Sequence, residues 1–154
     1  MDAGADIIET NTFNGQSISQ SDYGLEHVVY DVNKAAARLA RNAADSRSLP
    51  GERWRLVAGA VGPTNRTASV SPKVEDPSYR NVSYIELKDS YKEQIKGLVE
   101  GGAHIIFIET IFDTLNARAG IFAYTEYFEE SGLKPLPLFI SGTIIDAAGR
   151  TLSG

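Results

Sequence analysis

One unit occurs twice in this sequence. Gly4-Ala5-Asp6-Ile7-Ile8-Glu9-Thr10 stands near the start, and Gly102-Ala103-His104-Ile105-Ile106-Phe107-Ile108-Glu109-Thr110 follows later. In the second copy, Gly101-Gly102 can supply the positive φ that closes a helix. The unbroken apolar run Ile105 to Ile108 suits a parallel strand covered on both faces. It stops at Glu109 and Thr110, and Asp113 is placed to cap a new helix. A chain built on helix end, buried strand, polar tip and fresh helix is confined to a parallel α/β sheet. Such sheets hold their ligands at the carboxyl ends of the strands.

The remaining segments fit that frame. After the first strand, Thr10 to Gly15 is a polar loop, followed by a short helical piece around Ser17 to Tyr23 broken near Gly24. From Glu26 to Ser46, Val29, Val32, Ala36, Leu39 and Ala43 recur at helical steps and predict one buried face. Leu49-Pro50-Gly51 is expected to turn. Arg55 to Ala60 is the second strand, with Val61 to Asn65 as its small, polar tip. Residues 66–82 have no period and contain Pro72 and Pro77, which predicts a long ordered loop. Ser83 and Glu86 form a capping box ahead of a helix carrying Leu87, Tyr91, Ile95, Leu98 and Val99. A further helix over 114–130, with Leu115, Ala119, Phe122 and Tyr127 as core candidates, stops at Gly132. Leu136 to Ile140 is the fourth strand, tipped by Ser141-Gly142-Thr143.

The order β-α-β-loop-α-β-α-β predicts a parallel sheet with right-handed crossovers. No G-x-G-x-x-G follows the first strand, so a dinucleotide-binding sheet is the poorer fit. The expected fold is α/β, a partial (β/α)8 barrel containing about half of the eight strands. The strand that begins within a few residues of Met1 and the turn-rich last residues suggest that both ends lie inside a larger fold.

Composition narrows the function classes. A net charge of -5 without a basic patch gives no footprint for nucleic acid. The chain has no cysteine, which excludes disulfides and any cysteine-ligated metal site made from these residues alone. No apolar run approaches the ~20 residues of a membrane span, and no signal-peptide pattern opens the chain, so the expected compartment is the cytoplasm. The sequons at Asn65 and Asn81 are then chance matches.

Glu9, Thr10, Asn11, Gly62, Thr64, Glu109, Thr110, Ser141 and Thr143 are expected to converge at the strand tips. Two carboxylates, an amide and several hydroxyls suit an ammonium group on a small polar ligand. Glu109 leads, because it follows the most apolar strand and would be a partly buried anion in want of a cation. The plainer alternative is that each glutamate braces a loop and each hydroxyl bonds local backbone. His104 falls at the wrong end of its strand, His27 has no visible partner, and neither supports a triad. Tyr124, Tyr127 and Phe128 suit helix packing. Arg66, Lys73 and Arg80 suit solvated loop charges, with an anion contact as the other option.

Longer stretches are more specific. Gly4 to Phe13, Asp22 to Glu26, Gly59 to Asn65, Val70-Ser71-Pro72, Tyr79-Arg80-Asn81, Ile108 to Thr114, Ile140 to Ile144 and Gly149 to Gly154 resemble the homocysteine-binding domain of cobalamin-dependent methionine synthases. The resemblance runs in order over nearly the whole chain. It implies barrel strands two to five of a zinc-dependent S-methyltransferase whose substrate is L-homocysteine. Zinc would convert the substrate thiol to a thiolate. Methylcobalamin would supply the methyl group, recharged from methyltetrahydrofolate on other domains of the full-length protein. The resemblance gives Glu109 the substrate's amino group and gives Thr10, Asn11 and Thr12 a share in shaping the pocket. Thr64, Ser141 and Thr143 complete the expected substrate-binding set. The family's three zinc-ligand cysteines and its Asp-Gly-Gly loop have no counterpart here, so these residues alone are expected to be inactive. The nearest alternative is a stand-alone methyltransferase using betaine or S-methylmethionine. The segments at Asp22, Tyr79 and Gly149 favour the cobalamin group. A truncated product acting only as a binding module is the alternative of another class.

Overall fold

Helix boundaries follow local chemistry. In the computed structural model, which describes residues 4–48 and 54–153, Ser83 Oγ accepts from Glu86 N at 3.2 Å while Ser83 N donates to the Glu86 carboxylate at 2.7 Å. This capping box starts α3 (Tyr84–Glu100). Asp113 accepts from Leu115 N and Asn116 N and so starts α4 (Thr114–Ser131). Gly102 and Gly132, at φ +99° and +66°, turn the chain out of α3 and α4. The earlier helices are α1 (Ser17–Gln20) and α2 (Val29–Asp45), joined through short 3-10 turns at Ser21–Tyr23 and Glu26–Val28. The turn expected at Leu49-Pro50-Gly51 lies outside the described residues.

The strands are β1 (Ile7–Glu9), β2 (Leu56–Val61), β3 (Ile105–Ile111) and β4 (Leu138–Gly142). They form one sheet in the order β1-β2-β3-β4, and every neighbouring pair is parallel. The order never reverses, whereas a doubly wound sheet reverses at its switch point. Three strands differ from expectation in their bounds, and β2 runs one residue later than Arg55 to Ala60. β3 continues past Ile108 to Ile111, and β4 starts two residues later than Leu136 and includes Ser141 and Gly142.

One face of the sheet meets the helices. Leu87, Ile95 and Leu98 of α3 are fully buried with Val61, Ile106, Ile108 and Ile111 of the strands and Ala119, Ala123, Tyr127 and Phe128 of α4. Each such Leu or Ile contributes about 1.5–3 kcal/mol by leaving water. Phe128 meets both Tyr124 and Tyr127 edge-to-face, as suits helix packing.

Two expected core faces need correction. Val32 and Leu39 of α2 are 51% and 70% exposed, and Ala43 is exposed as well. The buried stripe is instead Val29, Asn33, Ala36, Ala37 and Ala44. The cause is a close helix crossing at glycines of α3. A Cβ on Gly97 would lie 2.7 Å from Tyr30 O, and one on Gly101 would lie 2.6 Å from Ala37 Cβ. Small residues must therefore face α3, which turns the larger aliphatics outward. On α4, Phe122 is 53% exposed because Ala119, Ala123 and Tyr127 occupy the buried side.

Strand register defines the second face. Glu9 pairs with Ala58 and Ala58 with Ile105, while Ala60 pairs with Phe107 and Phe107 with Phe139. Alternation places this set opposite Ile106 and Ile108. The Phe107 and Phe139 rings meet edge-to-face, 6.2 Å between centroids. No helix among the described residues is long and apolar enough to cross a membrane.

Candidate functional site

The tips of β1 and β2 are closed by hydrogen bonds among their own residues. Thr10 and Thr12 share a 2.6 Å hydroxyl contact. Ala60 N donates to Thr10 Oγ1 at 2.9 Å, and Thr12 Oγ1 donates to Ala60 O at 2.7 Å. The two side chains thus extend the pairing of a strand only three residues long. From the helix side, Gln94 Nε2 donates to Thr12 O and Gln16 Nε2 donates to Gly62 O, both at 2.7 Å. Thr64 is held likewise. Its N–H donates to the Tyr91 hydroxyl at 3.2 Å, its Oγ1 donates to Arg66 O at 2.5 Å, and Asn116 Nδ2 donates to Thr64 Oγ1 at 3.0 Å. Burial pushes the Tyr91 hydroxyl up to about 12, so it stays protonated. Thr10, Thr12 and Thr64 are buried, and their hydroxyls face protein partners.

The tip of β3 is different. Glu109 is half-buried, and no hydrogen bond or ion pair reaches its carboxylate among the described residues. Burial raises its pKa above the ordinary carboxylate range, and the Glu9 charge raises it further. Both effects oppose ionisation, and a cation set between the two carboxylates would offset them. Thr110 follows at φ +56°, the one positive φ on a non-glycine residue among the described residues. β3 also carries one extra residue here. Ile108 pairs with Ile140 and Ile111 with Gly142, so three steps on β3 match two on β4. Ser141 lies opposite this bulge and is exposed. Thr143 is exposed too, with its N–H donating to Ile111 O at 2.7 Å.

The expected residues therefore separate. At the strand tips, Glu109 and Thr110 are half-buried and Glu9, Ser141 and Thr143 are exposed. Thr10, Thr12, Gly62 and Thr64 form the frame beneath. Asn11 is exposed and lines a different hollow of about 140 Å³ between its loop and α2, together with Leu25, Val28 and Val32.

Three residues of this region were not legible as functional. Asp113, besides capping α4, accepts from Ser69 N at 3.1 Å and Ser69 Oγ at 2.5 Å. Asn116 Oδ1 accepts from Ala68 N at 3.0 Å, and its Nδ2 donates to Arg66 O at 2.8 Å. Arg80, expected as a solvated charge, donates to the carbonyls of Ala68, Ser69, Pro77 and Tyr79. Together they tie residues 66–82 across the tips of β2 and β3. Arg66 pairs with Asp22 at 3.3 Å, and Lys73 sits 3.9 Å above the Tyr79 ring. The available signal was polarity out of place, since Asn116 falls on the same helix face as Ala119.

No cluster of three or more His, Cys, Asp or Glu side chains among the described residues could hold a metal ion. His104 Nδ1 instead accepts from Val57 N at 3.0 Å, and burial and Arg41 lower its pKa. With no cysteine in the chain, the donor set does not fit a thiolate zinc centre.

Known structures share this fold. The homocysteine methyltransferase MmuM from Escherichia coli, in its metallated form, aligns with a TM-score of 0.73 at 21% identity, over 99% of this chain and 51% of that one. Its oxidized form aligns at 0.72 and 21%, over 99% and 50%. Its apo form aligns at 0.64 and 19%, over 98% and 50%. The chain thus spans about half the length of these relatives. The profile of the homocysteine S-methyltransferases matches residues 1–154, and the chain belongs to that family.

Proposed function

We propose that these residues form the homocysteine-binding part of a methyltransferase that passes a methyl group to the sulfur of homocysteine and yields methionine. The observation that carries this reading is Glu109, a half-buried carboxylate beside Glu9 with no cationic partner among the described residues. The substrate's ammonium group would neutralise the pair and let Glu109 ionise in place. A charge-assisted hydrogen bond of this kind is worth about 1.5–3 kcal/mol. Ser141 and Thr143, exposed at the end of β4, would border the same opening and meet the polar end of the substrate. Thr10, Thr12 and Thr64 would fix the floor, and Asn11 would act from the neighbouring loop. The sheet is then half of an eight-stranded barrel, strands two to five, with the Glu9-Phe107-Phe139 face turned to the barrel axis. The unreversed strand order supports this.

The chemistry of a bound zinc ion would be to hold the substrate sulfur as thiolate. Its ligands would come from outside these residues, and methylcobalamin and methyltetrahydrofolate would sit on other domains of a cytoplasmic protein. The segments at Asp22, Tyr79 and Gly149 favour the cobalamin-dependent group. The alternative donors are betaine and S-methylmethionine in a stand-alone enzyme, and a likeness to a homocysteine methyltransferase fits them equally. Supplying each donor in turn to the complete protein separates the two. The binding reading is tested by Glu109→Gln in that protein, titrated with homocysteine by calorimetry. Affinity should fall about tenfold or more. Unchanged affinity would remove Glu109 from the site.

A further inference from the structure

The bulge in β3 has a consequence for the site. In a regular strand, residues an odd number apart point to opposite faces. Ile108 and Ile111 are three apart, yet both belong to the helix-side core, at 4% and 8% exposure. The extra residue makes this possible. It lets the chain leave the core after Ile108, keep both Glu109 and Thr110 half-buried at the tip, and return at Ile111. The return requires the left-handed conformation at Thr110, which a β-branched side chain disfavours strongly.

Such a conformation persists only where its surroundings enforce it. Both flanks are fixed here. On one side, Ile108 pairs with Val61 and Ile140. On the other, Ile111 pairs with Gly142 and its carbonyl accepts from Thr143 N, while Asp113 is held by Ser69, Leu115 N and Asn116 N. The Thr110 hydroxyl itself makes no hydrogen bond among the described residues. The Glu9-Thr10 copy of the unit shows no such backbone, and Thr10 there has a negative φ.

We infer that Thr110 is a positioning residue that acts through its backbone: as the extra residue of β3 it holds the Glu109 carboxylate at the open side of the strand tip, and its hydroxyl is not what the site uses. The inference deepens the homocysteine reading and rests on it.

The test follows left-handed tolerance rather than side-chain likeness. In the complete protein, Thr110→Gly and Thr110→Asn both enter this region more readily than threonine. Each should keep homocysteine affinity within about threefold by calorimetry, and the glycine variant should gain roughly 2–4 °C in melting temperature. Thr110→Pro fixes φ near −65° and should weaken binding at least tenfold. If the proline variant does not fold, the other two decide. A tenfold loss in both Thr110→Gly and Thr110→Asn would show that the hydroxyl is used and overturn the inference, as would full affinity in a folded Thr110→Pro. Glu109→Gln is measured in parallel. If that variant weakens binding and Thr110→Gly and Thr110→Asn both do as well, only the Thr110 inference falls. If Glu109→Gln binds normally, the substrate contact falls and takes the inference with it.

Discussion

The tips of β1 and β3 carry the same dipeptide, glutamate then threonine, in opposite states. At β1 the strand is three residues long, and Thr10 completes its pairing by accepting from Ala60 N and donating to Thr12, whose own hydroxyl donates to Ala60 O. At β3 the strand runs for seven residues between two neighbours, so its backbone needs no help from side chains. Thr110 is held in a costly backbone conformation, and Glu109 is left with no partner among the described residues. The contrast separates support from function. A polar residue that finishes a short strand is consumed by the fold, and one at the end of a well-paired strand stays available to a ligand.

The largest effect should come from cutting the support of the β3 tip. Asp113→Ala removes a helix cap and the anchor of the 66–82 loop, and should cost about 3 kcal/mol in chemical denaturation of the complete protein. A loss under about 1 kcal/mol would mean that the loop is held elsewhere. Thr12→Val should cost about 1–2 kcal/mol and leave homocysteine affinity unchanged. If affinity fell with it, the division between frame and site would fail.

Smaller effects concern charge. The folded protein raises the Glu109 pKa, so the native state holds its proton more tightly than the unfolded chain does. Its ionisation therefore destabilises the fold as pH rises through the interval between the two values. The penalty is complete above the folded value and absent below the unfolded one, near pH 4. Glu109→Gln should accordingly melt higher than the wild type at neutral pH, with the difference vanishing on acidification. A variant that melts lower at pH 7 would mean that Glu109 has a cationic partner in the free protein. Glu9→Gln should be milder still. Removing one of the two charges lowers the Glu109 pKa and moves the acid limb of homocysteine binding to lower pH.

Periodicity and capping chemistry made the element order legible. Ser83 with Glu86, Asp113 and Gly132 all act where local chemistry puts them. The faces of α2 and α4 were less legible, because hydropathy at Val32, Leu39 and Phe122 cannot report which neighbour approaches closely. That depends on Gly97 and Gly101 of another helix. At the site, Glu109 stood out because an acid follows a buried strand. The alternative of a locally bonded hydroxyl held for Thr64, which donates to Arg66 O, whereas the cross-strand engagement of Thr10 and Thr12 and the bulge at Thr110 did not stand out. Both arise from pairing between distant strands, which no local pattern encodes.

The most direct test of the central claim compares homocysteine with 4-mercaptobutyrate, which lacks only the amino group, on the complete wild-type protein and on Glu109→Gln. If Glu109 holds the ammonium group, the wild type should prefer homocysteine by about tenfold or more, and the variant should bind the two almost equally. A preference that survives the substitution intact would contradict the account.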